Sequence, residues 1–313
     1  MDEFSMPEST FMGEKTLIVL LGPTGIGKTE LSISLAKQLG IPIINADSRQ
    51  IYKEITIGTA APTPTQLQEI HHYFVQTLEL SQYYSAAQYE TDTLALLKTL
   101  FQNSHVALMT GGSMLYIDAV CHGIDDIPTI DDMTRQLIKR RMEEEGLEHL
   151  REELRIIDPV CYNKIDLKNP RRIVHALEVY YCTGKPYSSF LQEEKKKRPF
   201  CIIKIGLERE RKELFERINL RVDEMIKQGL WEEVQRLYPK RELNALQTVG
   251  YRELFQVISG EWSMDSAIEK IKRNTRVYAK KQMTWFKHDP SIHWFHPSQT
   301  ADIWNLITKS ISP

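Results

Sequence analysis

The chain has 313 residues, enough for one large domain with a smaller one inserted or appended. Hydrophobic residues at 42% and charged residues at 26% are the composition of a globular chain able to bury a core. A formal net charge of -2 excludes arguing for a nucleic-acid partner from bulk charge, so any such argument rests on where the charge sits.

Along the chain, residues 1–15 carry acidic residues and proline and no continuous apolar run, unlike a signal peptide. Thr16-Leu17-Ile18-Val19-Leu20-Leu21 reads as a buried parallel strand ending at Gly22, far too short to span a bilayer. Glu30 to Leu39 has helical spacing (Leu31, Leu35, Leu39) and stops at Gly40. Pro42 to Asn45 is a second short strand, which makes the fold class α/β: a phosphate-loop parallel sheet flanked by helices. His105 to Met109 reads as another buried strand, followed by Gly111-Gly112 and a helix from about Ser113.

Asp131 to Leu154 and Asn169 to Tyr181 are helical, the second starting at Pro170. Residues 121–198 therefore read as an all-α insertion in a core formed by 1–120 and 199–313. Lys195-Lys196-Lys197-Arg198 reads as a solvated linker. Phe200 to Leu207 returns to strand pattern, and Arg209 to Leu237 and Met264 to His288 read as long helices. Cys121, Cys161, Cys182 and Cys201 show no metal-ligand spacing, so reduced thiols in a cytoplasmic, membrane-free protein are expected.

Between the first strand and helix, Gly22-Pro23-Thr24-Gly25-Ile26-Gly27-Lys28-Thr29 fits G-x-x-x-x-G-K-[ST]. The glycines let the backbone curl so that several N–H groups face one anion. The helix start adds its dipole, Lys28 a full charge and the Thr29 hydroxyl a ligand for Mg²⁺. The motif specifies a di- or triphosphate but not what is attached to it. Asp47 lies just past the carboxyl end of the second strand, where open α/β sheets bind ligands. A carboxylate there can be a general base, a helix cap or a partner of Mg²⁺-bound water, and position alone leaves all three open.

Gly22–Thr29, Asn45–Tyr52 and Ile57-Gly58-Thr59-Ala60 begin a longer series of blocks. It runs through His71-His72, Tyr84-Ser85-Ala86-Ala87, Gly111–Tyr116, Asn169-Pro170-Arg171-Arg172, Gly250-Tyr251-Arg252 and Tyr278–Phe286. In order and over nearly the whole chain, the series resembles the tRNA dimethylallyltransferase family. With no zinc-finger block after the last helix, it is similar to the short bacterial type. The sequence departs from the family pattern at Ala61, where Lys is common, at Tyr73-Phe74, at Ser113 in place of Thr, and at His175 in place of Arg.

The resemblance implies transfer of a dimethylallyl group from dimethylallyl diphosphate to N6 of the adenosine 3′ of the anticodon, by a Mg²⁺-dependent monomer. Gly22, Pro23, Thr24, Gly25, Ile26, Gly27, Lys28 and Thr29 would hold the diphosphate, and Asp47 would take the N6 proton. An arginine near the diphosphate would be Arg217 or Arg221, with Arg217 favoured. Contacts to the anticodon stem-loop would come from Asp47, Ser48, Arg49, Gln50, Ser113, Arg135, Arg171, Arg172, His175, Gly250, Tyr251, Arg252, Lys280, Lys281, Gln282, Thr284 and Trp285. Trp285 is open between stacking on a base and packing in the core.

From Lys270 to Lys287 seven basic residues and no acidic one form a stripe suited to phosphates. Its apolar face, with Ile268, Ile271, Tyr278 and Phe286, is expected to pack inward. An ATP-dependent kinase would explain the phosphate loop and Asp47, and a non-catalytic RNA-binding protein would explain the stripe, but neither explains the full series.

Overall fold

The computed structural model describes residues 14–191 and 196–311. Residues 1–13 and Lys195, on which part of the leader and linker readings fell, lie outside them. In chain order the elements are β1 (Thr16–Leu21), α1 (Lys28–Leu39), β2 (Ile43–Ala46), α2 (Pro64–Glu69), β3 (His72–Tyr73), α3 (Ala86–Leu100), β4 (Val106–Gly111) and α4 (Met114–His122). Next come α5 (Asp132–Ile157), α6 (Pro159–Lys164), α7 (Pro170–Thr183), β5 (Cys201–Leu207), α8 (Arg211–Lys227), α9 (Leu230–Leu237), α10 (Tyr251–Ile258), α11 (Met264–Lys287), β6 (Ile292–Phe295) and α12 (Thr300–Ile311). Contacts divide the chain into two compact units, Met1–His122 with Lys197–Pro313, and Gly123–Lys196.

In the first unit the strands form one parallel sheet in the order β3-β2-β4-β1-β5-β6. β1 is central and buried over its whole length, which is why it reads as a continuous apolar run and not as an alternating one. Ile18 and Leu20 face a core completed by Leu31 and Leu35 of α1 and by Ile303 and Ile307 of α12. Leu17, Val19 and Leu21 face Tyr89 and Leu97 of α3 and Ile117 and Val120 of α4. Beyond the sheet, α8 to α11 build a third core with Ile51, Tyr52 and Ile55.

The second unit is helical and closes on Ile138, Leu150, Leu154, Cys161, Ile173 and Leu177. Pro170 follows the Asn169 cap of α7, whose side chain accepts from the Arg171 N–H, as the sequence suggests. The four cysteines are free, and no helix among the described residues is long and apolar enough to cross a membrane.

Two readings need correction. The single helix expected over Arg209–Leu237 is two, because Gly229 takes a left-handed conformation (φ 99°) between α8 and α9. The basic run is no plain solvated linker either, since the Arg198 side chain is 7% exposed and ion-pairs with Glu90, itself 8% exposed, at 2.7 Å. Arg198 also donates to the carbonyls of Ala119 and Val120, tying the return to β5 onto α3 and α4. Arg198→Ala would leave a carboxylate buried without this cation. Urea unfolding should show a loss of about 3–5 kcal/mol, and a midpoint within error of wild type would contradict this packing.

Candidate active site

The phosphate loop lies between the carboxyl end of β1 and α1, as the motif requires. Gly25 (φ 78°) and Gly27 (φ 107°) adopt backbone conformations that side chains avoid. A Cβ at Gly25 would also come within 2.9 Å of Ile218 on α8. Ile26 is fully buried and pins the loop to the core. No side chain caps α1 at Gly27, so its first-turn N–H groups stay available to an anion.

Contacts from distant elements brace the loop. The Gln282 side chain on α11, 2% exposed, accepts from the Thr24 N–H at 2.9 Å and donates to the Gly112 carbonyl at 2.8 Å. Arg209 donates to the Ile26 carbonyl and Arg217 to the Gly25 carbonyl, each at 3.1 Å. Arg221 donates to the Thr24 hydroxyl at 3.2 Å. Lys28 Nζ donates to the carbonyls of Gly22 and Pro23, each at 2.9 Å. Burial, and next the Arg221 charge, push the Lys28 amine down to about 7, with Asp47 acting in the opposite direction. An anion in the loop would reverse that push.

Asp47 follows β2 and opens a tight turn. Its Oδ1 accepts from the N–H groups of Arg49 (2.9 Å) and Gln50 (3.3 Å), an Asx-type arrangement that fixes the carboxylate plane. The Ser113 hydroxyl, 8% exposed, accepts from the Ser48 N–H at 2.8 Å, and the Ser113 N–H donates to Ala46. The Asp47 charge acts on Lys28 and Arg221 on one side and on Tyr116 and Tyr278 on the other. Asp47 is thus within electrostatic reach of the phosphate loop and directly precedes Ser48 and Arg49, which line an open cleft of ≈ 390 Å³. Ser48, Arg49, Tyr52, Tyr84, Tyr116 and Tyr278 are among the residues lining it. Burial raises the Tyr116 phenol, so it is a neutral aromatic wall at physiological pH.

A phosphate nest, an adjacent carboxylate and a tyrosine-walled cleft are the setting in which comparison with known proteins becomes informative. The model of the family described as IPP transferase matches residues 50–289. The chain belongs to the IPP transferase family. It is 57% identical over 300 residues to tRNA dimethylallyltransferase 1 of Bacteroides fragilis, covering 96% of this chain and 100% of that one. It is 59% identical over 292 residues to tRNA dimethylallyltransferase 1 of Phocaeicola vulgatus, covering 93% and 97%. Among solved structures, a eukaryotic dimethylallyltransferase acting on tRNA superposes with a TM-score of 0.77 at 25% identity, over 96% of this chain and 80% of that one. The tRNA isopentenylpyrophosphate transferase of Bacillus halodurans gives 0.69 at 31% identity, over 95% and 97%.

Within this IPP transferase fold the residues expected from the sequence fall into separate groups. Gly22 to Thr29, Asp47 to Gln50, Ser113, Arg217 and Arg221 belong to one site. Arg217 is exposed and braces backbone, whereas Arg221 is half-buried on a loop side chain. The preference for Arg217 therefore gives way to a pair, with Arg221 the deeper member.

Tyr251 is fully buried, its hydroxyl donating to Glu233 at 2.6 Å, and Gly250 is buried with its N–H on Glu253. Neither presents a side chain to RNA, and Gln282 is consumed by its two loop contacts. Arg252, Lys280, Lys281 and Thr284 are exposed. Trp285 is 41% exposed, which removes the core alternative, and its indole N–H donates to Asp118. Tyr278 is 38% exposed and lines the cleft, so it does not pack inward as expected.

The basic stripe is partly neutralised. Lys272 pairs with Asp223 and Glu269, Lys287 with Glu208, and Lys270 lies over Trp262. In the helical unit Arg171 and Arg172 are exposed, His175 approaches Glu178 at 3.6 Å, and Arg135 donates to the Ile130 carbonyl. Sequence reasoning missed Arg209, and Tyr52, Tyr84 and Tyr116 as cleft walls. The first had no local motif, and the tyrosines lay in recognised blocks but had no role of their own.

Above pH 7 the ligand-free chain loses the Lys28 proton while a diphosphate complex keeps it. Affinity for an alkyl diphosphate should then weaken by up to about tenfold per pH unit from pH 7 to 9, and Lys28→Ala should flatten the response. Titration calorimetry with equal affinity at both pH values would contradict the low amine pKa.

Proposed function

We propose that the chain transfers a dimethylallyl group from dimethylallyl diphosphate to N6 of the adenosine immediately 3′ of the anticodon in tRNA. The observation that carries this reading is the fixed Asp47 carboxylate within electrostatic reach of a phosphate nest and next in sequence to residues that line an aromatic cleft, in a chain of the IPP transferase family. The nest receives the diphosphate of the donor. As the C–O bond to the prenyl C1 breaks, its electron pair leaves with the diphosphate. Lys28, Arg221 and the N–H groups at the start of α1 stabilise the growing charge there.

The acceptor adenine, flipped out of the anticodon loop, enters the tyrosine-walled cleft. Its amine is a weak nucleophile because the lone pair is delocalised into the ring. Asp47 offers Oδ2 to the N6 proton, since Oδ1 is engaged by Arg49 and Gln50. The N6–C1 bond forms as that proton passes to the carboxylate, leaving N6-dimethylallyladenosine, diphosphate and a protonated Asp47.

No group of three or more His, Cys, Asp or Glu side chains able to hold a metal occurs among the described residues. Mg²⁺ binds through few protein ligands together with substrate phosphates. The Thr29 hydroxyl would be its protein ligand, and the ion would add charge neutralisation at the leaving oxygens.

With labelled dimethylallyl diphosphate, Mg²⁺ and unmodified tRNA, label should enter the RNA. Asp47→Ala should lower the single-turnover rate by about 10²–10⁴-fold with little change in tRNA affinity. Turnover near wild type in that variant would remove Asp47 from the role of base.

A further inference from the structure

Two sequence blocks, Ile57-Gly58-Thr59-Ala60 and Gly250-Tyr251-Arg252, are absorbed neither by the phosphate nest nor by the cleft. They meet at Glu233 on the first turn of α9, a carboxylate 3% exposed. Its Oε2 accepts from the N–H groups of Thr56 and Ile57, each at 3.0 Å, and from the Thr56 hydroxyl. Its Oε1 accepts from the Gly58 N–H at 3.0 Å and from the buried Tyr251 hydroxyl at 2.6 Å. Three consecutive backbone amides on one buried carboxylate form an anion nest made by the protein for its own side chain. The Tyr251 ring closes it so tightly that a Cβ at Gly58 would lie 2.6 Å from the ring.

The loop shaped by this nest turns directly towards the candidate base. Ala60 is held at φ 47°, a conformation disfavoured for a non-glycine residue. The carbonyls of Thr59 and Ala60 both accept from Gln50 Nε2, at 3.1 and 3.0 Å. Gln50 in turn gives its backbone N–H to Asp47 Oδ1. Hydrogen bonds and one short loop therefore run without interruption from Glu233 to Asp47. None of these contacts involves the phosphate loop.

We propose that Glu233 is a positioning residue for prenyl transfer: through the 56–60 loop and Gln50 it fixes the orientation of the Asp47 carboxylate towards the acceptor amine. The proposal rests on the reading of Asp47 as the base. A misplacement of the base costs chemistry and leaves donor binding alone, which separates this role from a general structural one.

The test is a double-mutant cycle on the single-turnover rate of prenyl transfer, at saturating donor and tRNA, with Glu233→Gln and Asp47→Ala alone and together. Glu233→Gln alone should lower the rate about 10–100-fold, with the donor KM within about threefold of wild type. In the Asp47→Ala background the same change should cost less than about threefold, because the group it positions is gone. Tyr251→Phe, which removes one hydroxyl and keeps the ring, should lower the rate in the same direction by less. It also supplies the test if Glu233→Gln does not fold.

Equal losses in both Asp47 backgrounds would overturn the proposal. So would a raised donor KM at unchanged rate, or a wild-type rate for Tyr251→Phe in the event that Glu233→Gln does not fold. A wild-type rate for Asp47→Ala alone would instead overturn the base assignment on which the proposal stands.

Discussion

The side-chain amide of Gln282 joins the two turns on which the site depends. Buried on α11, it accepts from the Thr24 N–H of the phosphate loop and donates to the Gly112 carbonyl after β4. A Cβ at Gly112 would lie 2.5 Å from its nitrogen, so the fit is close. A buried amide left half-satisfied is costly, and here both ends are engaged by backbone. The result is a fixed separation between the phosphate loop and the Ser113–Ser48 contact that seats the Asp47 turn. The same helix contributes Tyr278 to the cleft and Phe286 to the core, so the amide is held by packing on either side.

Electrostatics follow from that geometry. Burial lowers the preference of both Lys28 and Arg221 for charge, Arg221 adds to the effect at Lys28 and Arg217 to that at Arg221, and Asp47 is the counterweight to both. Such a cluster is poorly satisfied until a polyanion arrives. The arrangement suits a reaction in which the charge to be stabilised builds up on a departing diphosphate. In the proposed transfer the proton to be removed belongs to the other substrate, and Asp47 is the group assigned to take it.

Local features were legible in the sequence. The phosphate loop, its flanking strand and helix, the all-α stretch after α4 and Asp47 at a strand end are written in short windows. The parts that were not legible are long-range. Gln282 reaches its loop partner across 258 positions, Arg209 across 183, and Glu233 its loop partners across 175 to 177. Nothing local marks a glutamine as a buried bridge or a tyrosine as a buried donor; the resemblance implied RNA contacts for Gln282 and Tyr251, and the structure buries both side chains on protein partners. The short edge strands β3 and β6, of two and four residues, carry too little pattern to register. The Gly229 break was visible as a glycine but outweighed by the helical periodicity around it.

On the proposed reading, the nest at the start of α1 grips an isoprenoid diphosphate whose carbon chain, not its phosphate, is passed on. The most direct measurement offers the protein ATP and dimethylallyl diphosphate together with unmodified tRNA, then digests the RNA and identifies its nucleosides by mass spectrometry. N6-dimethylallyladenosine next to the anticodon, with the ATP unspent, is the expected result. ADP release or a phosphorylated product, without the prenylated nucleoside, would contradict it.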